Sequence, residues 1–253
     1  MIKFSVITVA KNAGGSVKKS IESIKNQMYP NYEWIFIDGN SADNTLDIVH
    51  KSKLVPDILL SMEPTGVYDA LNKGIELASG DYIVFLHADD FWKHENYLCN
   101  YAESITNSKY KVQFLYSNAY FVNEHQKVVR KWMGNDFSRY GLVFGWMPPH
   151  ATICVNTQFV LQNSLWFDNS HKIAADYGWC LDCFKNLKSG EIKYVSKNLL
   201  IMRSGGESNG SFKKYVSSLK EDLIITRRHF GKLNIFTSVV KRLRKIMQFL
   251  DRG

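Results

Sequence analysis

Apolar and polar positions follow two alternating periods along the first ninety or so residues. Phe4–Ala10 (FSVITVA) is a continuous apolar, β-branched run, the pattern of a strand buried on both faces of a parallel sheet. Val17, Ile21, Ile24 and Met28 then recur at helical spacing, after Gly15 and Ser16 and before Tyr29 and Pro30. Residues 32–37 (YEWIFI) predict a second strand that ends at Asp38 and Gly39. A polar loop, NSADNT, leads into a helix carrying Leu46, Ile48 and Val49, and residues 58–60 predict a short third strand. Residues 67–78 predict a helix with Leu71, Ile75 and Ala78 inward. After a turn at Ser79, Gly80 and Asp81, residues 82–86 (YIVFL) predict a fourth strand that runs into His87, Ala88, Asp89 and Asp90. Strands separated by helices in this way predict right-handed βαβ units and an α/β fold with a mostly parallel, doubly wound sheet.

The second half is less regular. Residues 112–117, 119–122, 127–132 and 150–155 read as strands, 174–187 as a helix and 193–203 as a last strand. A helix over 213–229 and an amphipathic C-terminal segment follow. No repeat, low-complexity tract or linker interrupts residues 1–212, so one domain with a helical tail over 213–253 is the expected organisation.

The chain of 253 residues is 45% hydrophobic and 22% charged, the balance of a globular protein rather than a disordered or fibrous one. No window approaches the ~18 uninterrupted apolar residues of a membrane span. The start, MIKFSVITVAKN, has no small-residue cleavage site and does not read as a signal peptide. Cys99, Cys154, Cys180 and Cys183 form no disulfide framework and read as reduced thiols. Cys180 and Cys183 fall inside a helical pattern as small apolar side chains. The net charge of +8 is local: Lys213 to Gly253 holds 11 Lys/Arg against 3 Asp/Glu, which leaves 21 of each in residues 1–212. No nucleic-acid-binding signature accompanies it, and nucleic acid is not an expected partner.

Open α/β sheets bind ligands outside the carboxyl ends of their strands, and here those ends are acidic. The first strand ends at Lys11 and Asn12, the second at Asp38, the fourth at Asp89 and Asp90. Adjacent carboxylates repel unless a cation lies near, and a hard divalent ion bridging carboxylate and substrate phosphate suits them. Neither GxGxxG nor GxxxxGK[ST] is present, so no glycine cradle for phosphate is supported. Ser41, Asp43 and Thr45 read as the cap and first turn of the following helix. Asp69, Asn72 and Lys73 share one helix face.

The segments SVITVAKN, IFIDGNSADNT, EPTGVYDALNKGIELASGDYIVFLHADD, PPHATICV, ADYGWCLDC and MRSGGESN, in this order, resemble glycosyltransferase family 2. These are inverting enzymes with a GT-A fold, and the likeness spans residues 3–210. Within the family it is greatest to bacterial transferases of capsule, colanic-acid and O-antigen assembly. The resemblance implies a nucleotide-sugar-binding half over 1–92 and an acceptor-binding half over 93–212. It places the base, commonly uracil, on Asp38, with Val9, Lys11 and Asn12 as pocket floor. Asp69 and Lys73 would lie beside the nucleotide-sugar, or else form a solvated polar face. Of Asp89 and Asp90, one carboxylate would reach the ribose or sugar of the donor and the other would hold Mn²⁺ or Mg²⁺, with either assignment open. His87 stands where many relatives carry another Asp. Arg203, with Gly205, Gly206 and Ser208, resembles a loop that closes over the pyrophosphate. Asp176 matches the catalytic base, and a helix N-terminus would favour its ionised form. His150 resembles an acceptor-side residue, though a lone His beside a strand also serves as a plain hydrogen-bonder. The implied donor is a nucleoside-diphosphate sugar. The implied acceptor is a saccharide, polyprenyl-diphosphate-linked in similar bacterial enzymes. A sugar-nucleotide nucleotidyltransferase, for which KNAGGSVKK is a poor phosphate loop, and a non-catalytic assembly subunit remain as alternatives.

Between Ile235 and Leu250 apolar residues recur at spacings of three and four, with Lys241, Arg242, Arg244 and Lys245 filling the other side. A basic amphipathic helix of this kind suits an anionic membrane surface; the alternative is a helix packed on the domain with its polar face solvated. The expected location is cytoplasmic, peripheral at the inner face of the cell membrane.

Overall fold

The computed structural model describes residues 1–63, 65–203 and 212–250, with side chains described from 216 to 248 in the last segment. Strands β1 (Phe4–Ala10), β2 (Tyr32–Asp38), β3 (Ile58–Ser61) and β4 (Tyr82–Phe85) run parallel in the order β3-β2-β1-β4. Helices α1 (Val17–Lys25), α2 (Thr45–Lys51) and α3 (Val67–Leu77) connect them, as the alternating periods predict. Every residue of β1 is buried. Ile7 and Val9 face one core layer, and Phe4, Val6 and Ala10 face the other. A strand covered on both faces has no solvated side, so its sequence reads as a continuous apolar run. Its polar residues are satisfied inside: Ser5 donates to Glu33 at 2.5 Å, and Thr8 accepts the Trp34 indole N–H at 3.0 Å.

The chain continues through β5 (Phe91–Trp92), α4 (Tyr97–Thr106), β6 (Phe114–Val122), β7 (Val128–Trp132), α5 (Arg139–Val143), β8 (Cys154–Asn156), α6 (Thr157–Gln162), α7 (Ala175–Lys185), β9 (Ile192–Arg203), α8 (Phe212–Phe230) and α9 (Asn234–Leu250). The sheet extends as β3-β2-β1-β4-β8-β6-β9-β5, with β7 on β6. Its first half is parallel. Beyond β4 it is mixed, since β8 runs antiparallel to both β4 and β6 while β9 is parallel to β6. The fold is thus the expected α/β domain with a helical C-terminal segment, and its second half departs from purely parallel pairing.

Residues 112–117 and 119–122, read as two strands, are joined in the single strand β6, which starts at Phe114; its register against β9 shifts at the polar step between Tyr116 and Asn118. The strand expected over 150–155 opens instead with a 3-10 turn at His150–Thr152, and only Cys154–Asn156 pairs. Pro149 supplies the reason: its φ of −59° suits a turn, and its carbonyl accepts Thr152 N–H at 2.9 Å and Thr152 Oγ1 at 2.7 Å. The C-terminal helices also differ from expectation. Asp222 of α8, 3% exposed, accepts from Lys241 at 2.6 Å and Arg242 at 3.0 Å. The hydroxyls of Thr226 and Ser238 meet at 2.9 Å, and Thr237 donates to the Val143 carbonyl at 2.8 Å. The polar face of α9 is the docked one.

Candidate active site

The carboxyl ends of the first strands lie in register, Ala10 beside Asp38 and Asp38 beside Ser61. Pairing of β4 as a strand stops at Phe85, yet Leu86 N–H still donates to Ile7 at 2.9 Å and Ala88 N–H to Val9 at 3.3 Å. This extension carries His87, Asp89 and Asp90 along the end of β1. Lys11, Asn12, Asp38 and the acid pair therefore share one sheet edge, with Val9 buried beneath it.

The loop after β1 is pinned by the loop after β2. Asn12, in the left-handed region at φ 51°, accepts Ala42 N–H and donates its own N–H to Ser41, both at 2.9 Å. Ala13 N–H reaches Thr45 Oγ1 at 2.7 Å, and Gly14 N–H reaches Asp43 at 2.9 Å. The expected cap and first turn are seen in part: Thr45 opens α2, and Asp43 Oδ1 accepts its backbone N–H at 3.0 Å. The N-cap residue itself is Asn44, without a side-chain cap bond, and Ser41, Asp43 and Thr45 also serve the free N–H groups of the opposite loop. Asp38 uses one oxygen, Oδ2, for Ser41 N–H at 2.9 Å and Ser61 Oγ at 3.3 Å. Its other oxygen, Oδ1, is buried with no partner among the described residues. A buried orphan acceptor at a ligand-binding edge marks a place for a donated N–H.

Asp90 is 3% exposed. Burial first, and then the neighbouring charge of Asp89, push its carboxyl well above the usual range; the Arg203 backbone N–H offsets part of this. Neither carboxylate takes part in an ion pair among the described residues. Two adjacent acids short of a cation fit a divalent metal. Among the described residues no three His, Cys, Asp or Glu side chains gather as a complete metal site. Arg203 ends β9 beside Val122, and its guanidinium donates to the Gly15 carbonyl at 3.3 Å, which brings it to the loop after β1. Gly205, Gly206 and Ser208 lie outside the described residues.

His150 and Asp176, expected on the acceptor side, converge on the same place. Because β8 runs antiparallel to β4, the turn that precedes it lies near His87, where the charges of His150 and Asp176 are felt. Burial holds the His87 imidazole below its ordinary pKa, ahead of the opposing effect of Asp89. Asp176 occupies the first turn of α7, with Oδ2 2.8 Å from His150 Nδ1. Trp132 packs edge-on against the His150 ring at 5.5 Å. Burial alone would raise the Asp176 carboxyl, but the charge and hydrogen bonding of His150, with help from Lys241, outweigh it and hold the pKa at about 2.

Some supporting residues carry no signal in the sequence. The Tyr68 hydroxyl donates to the Ile173 carbonyl at 2.9 Å and reaches Asp176 at 3.4 Å. Glu221 accepts the N–H groups of Lys172, Ile173 and Ala174 at 3.1, 2.9 and 2.8 Å, fixing the start of α7. Tyr68 adjoins Asp69 in a quoted motif, whereas nothing local points to Glu221.

The side chains of the α3 face expected beside the donor, or else solvated, have protein partners. Lys73 pairs with Glu76 at 2.8 Å on the surface. Asp69 accepts Thr65 N–H at 3.1 Å and Asn169 at 3.2 Å. Asn72 clamps both backbone groups of Phe167, each at 2.9 Å. This face is a strut to residues 165–169, and α3 meets the site through Tyr68. Cys154, Cys180 and Cys183 are buried free thiols, as expected.

The family model described as glycosyl transferase family 2 matches residues 5–165. The Escherichia coli UDP-Glc:alpha-D-GlcNAc-diphosphoundecaprenol beta-1,3-glucosyltransferase WfaP is 35% identical over 117 residues, 46% of this chain and 45% of that protein. The chain spans less than half the length of the curated relatives it matches. Among solved structures, S. aureus TarS 1-349 in complex with UDP-GlcNAc superposes with a TM-score of 0.68 at 19% identity, covering 99% of this chain and 72% of that one. The mannosyltransferase PcManGT from Pyrobaculum calidifontis in complex with GDP-Man and Mn2+ gives 0.62 at 14%, covering 95% and 73%. At these identities the likeness shows the fold.

Proposed function

The chain belongs to glycosyl transferase family 2, and we propose that it transfers a sugar from a UDP-sugar donor to a saccharide acceptor of a surface glycan, with inversion. The observation that carries this reading is the meeting of two acidic groups of different character at one sheet edge. Asp89 and Asp90 make no ion pair among the described residues, while Asp176 is held ionised beside His150.

The donor's base lies against Val9, Lys11 and Asn12, with its imide N–H donated to the orphan oxygen of Asp38. Asp89 and Asp90 are the residues that would hold Mn²⁺ or Mg²⁺, which when bound neutralises the departing diphosphate. Arg203 adds a positive charge on the same side. Asp176 takes the proton of the acceptor hydroxyl as the new glycosidic bond forms and the nucleoside diphosphate leaves from the opposite face. A carboxylate with a low pKa serves here because the hydroxyl becomes acidic only as the bond forms. His150 and Trp132 line the acceptor side. A lipid-linked saccharide, such as the acceptor named for WfaP, fits an enzyme working at the inner face of the cell membrane.

Thermal stabilisation by UDP, GDP, CMP and ADP, each with and without Mn²⁺, tests the reading. A shift with UDP that requires Mn²⁺ and vanishes in Asp90→Ala is the expected result. No shift with any nucleotide would overturn it in favour of a non-catalytic subunit.

A further inference from the structure

In α9 the usual arrangement of an amphipathic helix on a domain is reversed. Thr237 and Ser238 are fully buried, while Lys241 and Arg242 bond to Asp222 of α8 and Gln248 accepts from Arg130 of the domain. Ile235, Phe236, Val239, Leu243, Ile246 and Met247 point outward, each between 45 and 66% exposed. Their spacings place all six on one helix face. Asp222 explains the orientation: a carboxylate 3% exposed needs cations, and those cations stand on the polar side of α9. The apolar strip continues onto the domain, where Phe144, 49% exposed, meets the Phe236 ring edge-on at 5.6 Å.

An exposed apolar strip along a whole helix marks an interaction surface, and charge selects its partner. Lys232 and Arg244 are exposed beside the strip, in a segment, 213–253, that carries 11 Lys/Arg against 3 Asp/Glu. A second copy would bring two basic helices together. An anionic bilayer satisfies both the apolar side chains and the cations. We infer that α9 lies in the headgroup region of an anionic membrane while its polar face stays docked on the catalytic domain. Lys241 sits 3.7 Å over the ring of Tyr177, the neighbour of Asp176, so the helix packs beside the first turn of α7. This deepens the proposed transfer to a lipid-linked acceptor and rests on that reading only for its purpose, because binding and transfer are measured apart.

Flotation with vesicles of phosphatidylcholine alone and of phosphatidylcholine with phosphatidylglycerol tests it on the full chain. The wild type is expected to float with the anionic vesicles and less so at high salt. A triple variant, Val239→Gln, Leu243→Gln and Ile246→Gln, is expected to lose at least about tenfold in vesicle partition, with its melting temperature and UDP-induced shift unchanged. A second variant, Thr226→Cys with Ser238→Cys, locks α8 to α9 by a disulfide and is expected still to float. The inference is overturned if the triple variant floats like wild type, or if the locked protein does not float. It is equally overturned if the wild type ignores vesicles and forms a dimer that the triple variant dissolves. Flotation without any nucleotide binding would remove the transferase reading and leave the docked membrane helix standing.

Discussion

His150 Nδ1 lies 2.8 Å from Asp176 Oδ2, in the first turn of α7. The pair holds Asp176 ionised to about pH 2, and it is the nearest stabilising group a substituted enzyme would lose. In His150→Ala burial remains while the chief lowering influence goes, so the carboxyl rises. The acid limb of log kcat is expected to move up, into roughly pH 4–6. An acid limb at the same pH in variant and wild type would show that His150 does not govern Asp176.

Asp176→Asn keeps the shape of the first turn of α7 and removes the proton acceptor. Transfer is expected to fall about 10²–10⁴-fold, with the UDP-induced thermal shift intact. Near-normal turnover would take the base role from Asp176.

Stability at low pH is expected to depend on Glu33. This buried carboxylate accepts from Lys3 at 2.7 Å, Ser5 at 2.5 Å, and Ser79 N–H and Oγ at 2.7 and 2.6 Å. Burial raises its pKa, but these bonds together outweigh that and bring it to about 2. A depressed folded pKa gives stability that is present above the unfolded value and is lost as pH falls toward 2. Roughly 2–3 kcal/mol is at stake. Urea unfolding of Glu33→Gln should show about that loss at pH 7 and a flatter decline between pH 5 and 2.

Asp90→Asn is expected to make the metal-free protein more stable, by about 1 kcal/mol, because a neutral amide removes a buried charge and its repulsion with Asp89. The same substitution should abolish the Mn²⁺-dependent shift with UDP. A less stable variant in calorimetry would mean that Asp90 serves packing before function.

Gly74→Ala tests packing below the site. An alanine is ordinarily about 1 kcal/mol better than glycine inside a helix. Here its Cβ would stand 2.4 Å from Cγ2 of Ile7 in β1, so overpacking is expected to win, with a net loss of roughly 1–2 kcal/mol in urea unfolding.

The first half of the fold was legible because buried parallel strands write themselves as apolar runs: β1 and the core of β2 fall where FSVITVA and YEWIFI place them. The acids at the strand ends followed from the binding rule for open sheets. The pairing of His150 with Asp176 joins segments separated in the chain, and no local pattern carries it. Residues 150–155 misread because a short apolar stretch after two prolines fits strand and turn alike. The orientation of α9 was illegible for a different reason. Periodicity shows that a helix has two faces, while the choice between them was made by Asp222 on another helix.

The way β8 completes β4 limits how the enzyme can be recombined. Its three residues cover the open edge of β4, and the next element is tied to the turn before it through Thr157 N–H on the Asp81 carbonyl at 2.9 Å. A chimaera cut near residue 92, joining the nucleotide half of one relative to the acceptor half of another, would separate β4 from the strand that caps it. The exposed edge would then recruit other chains. Specificity grafts are therefore expected to survive as loop exchanges at the rim and to aggregate as half-domain exchanges.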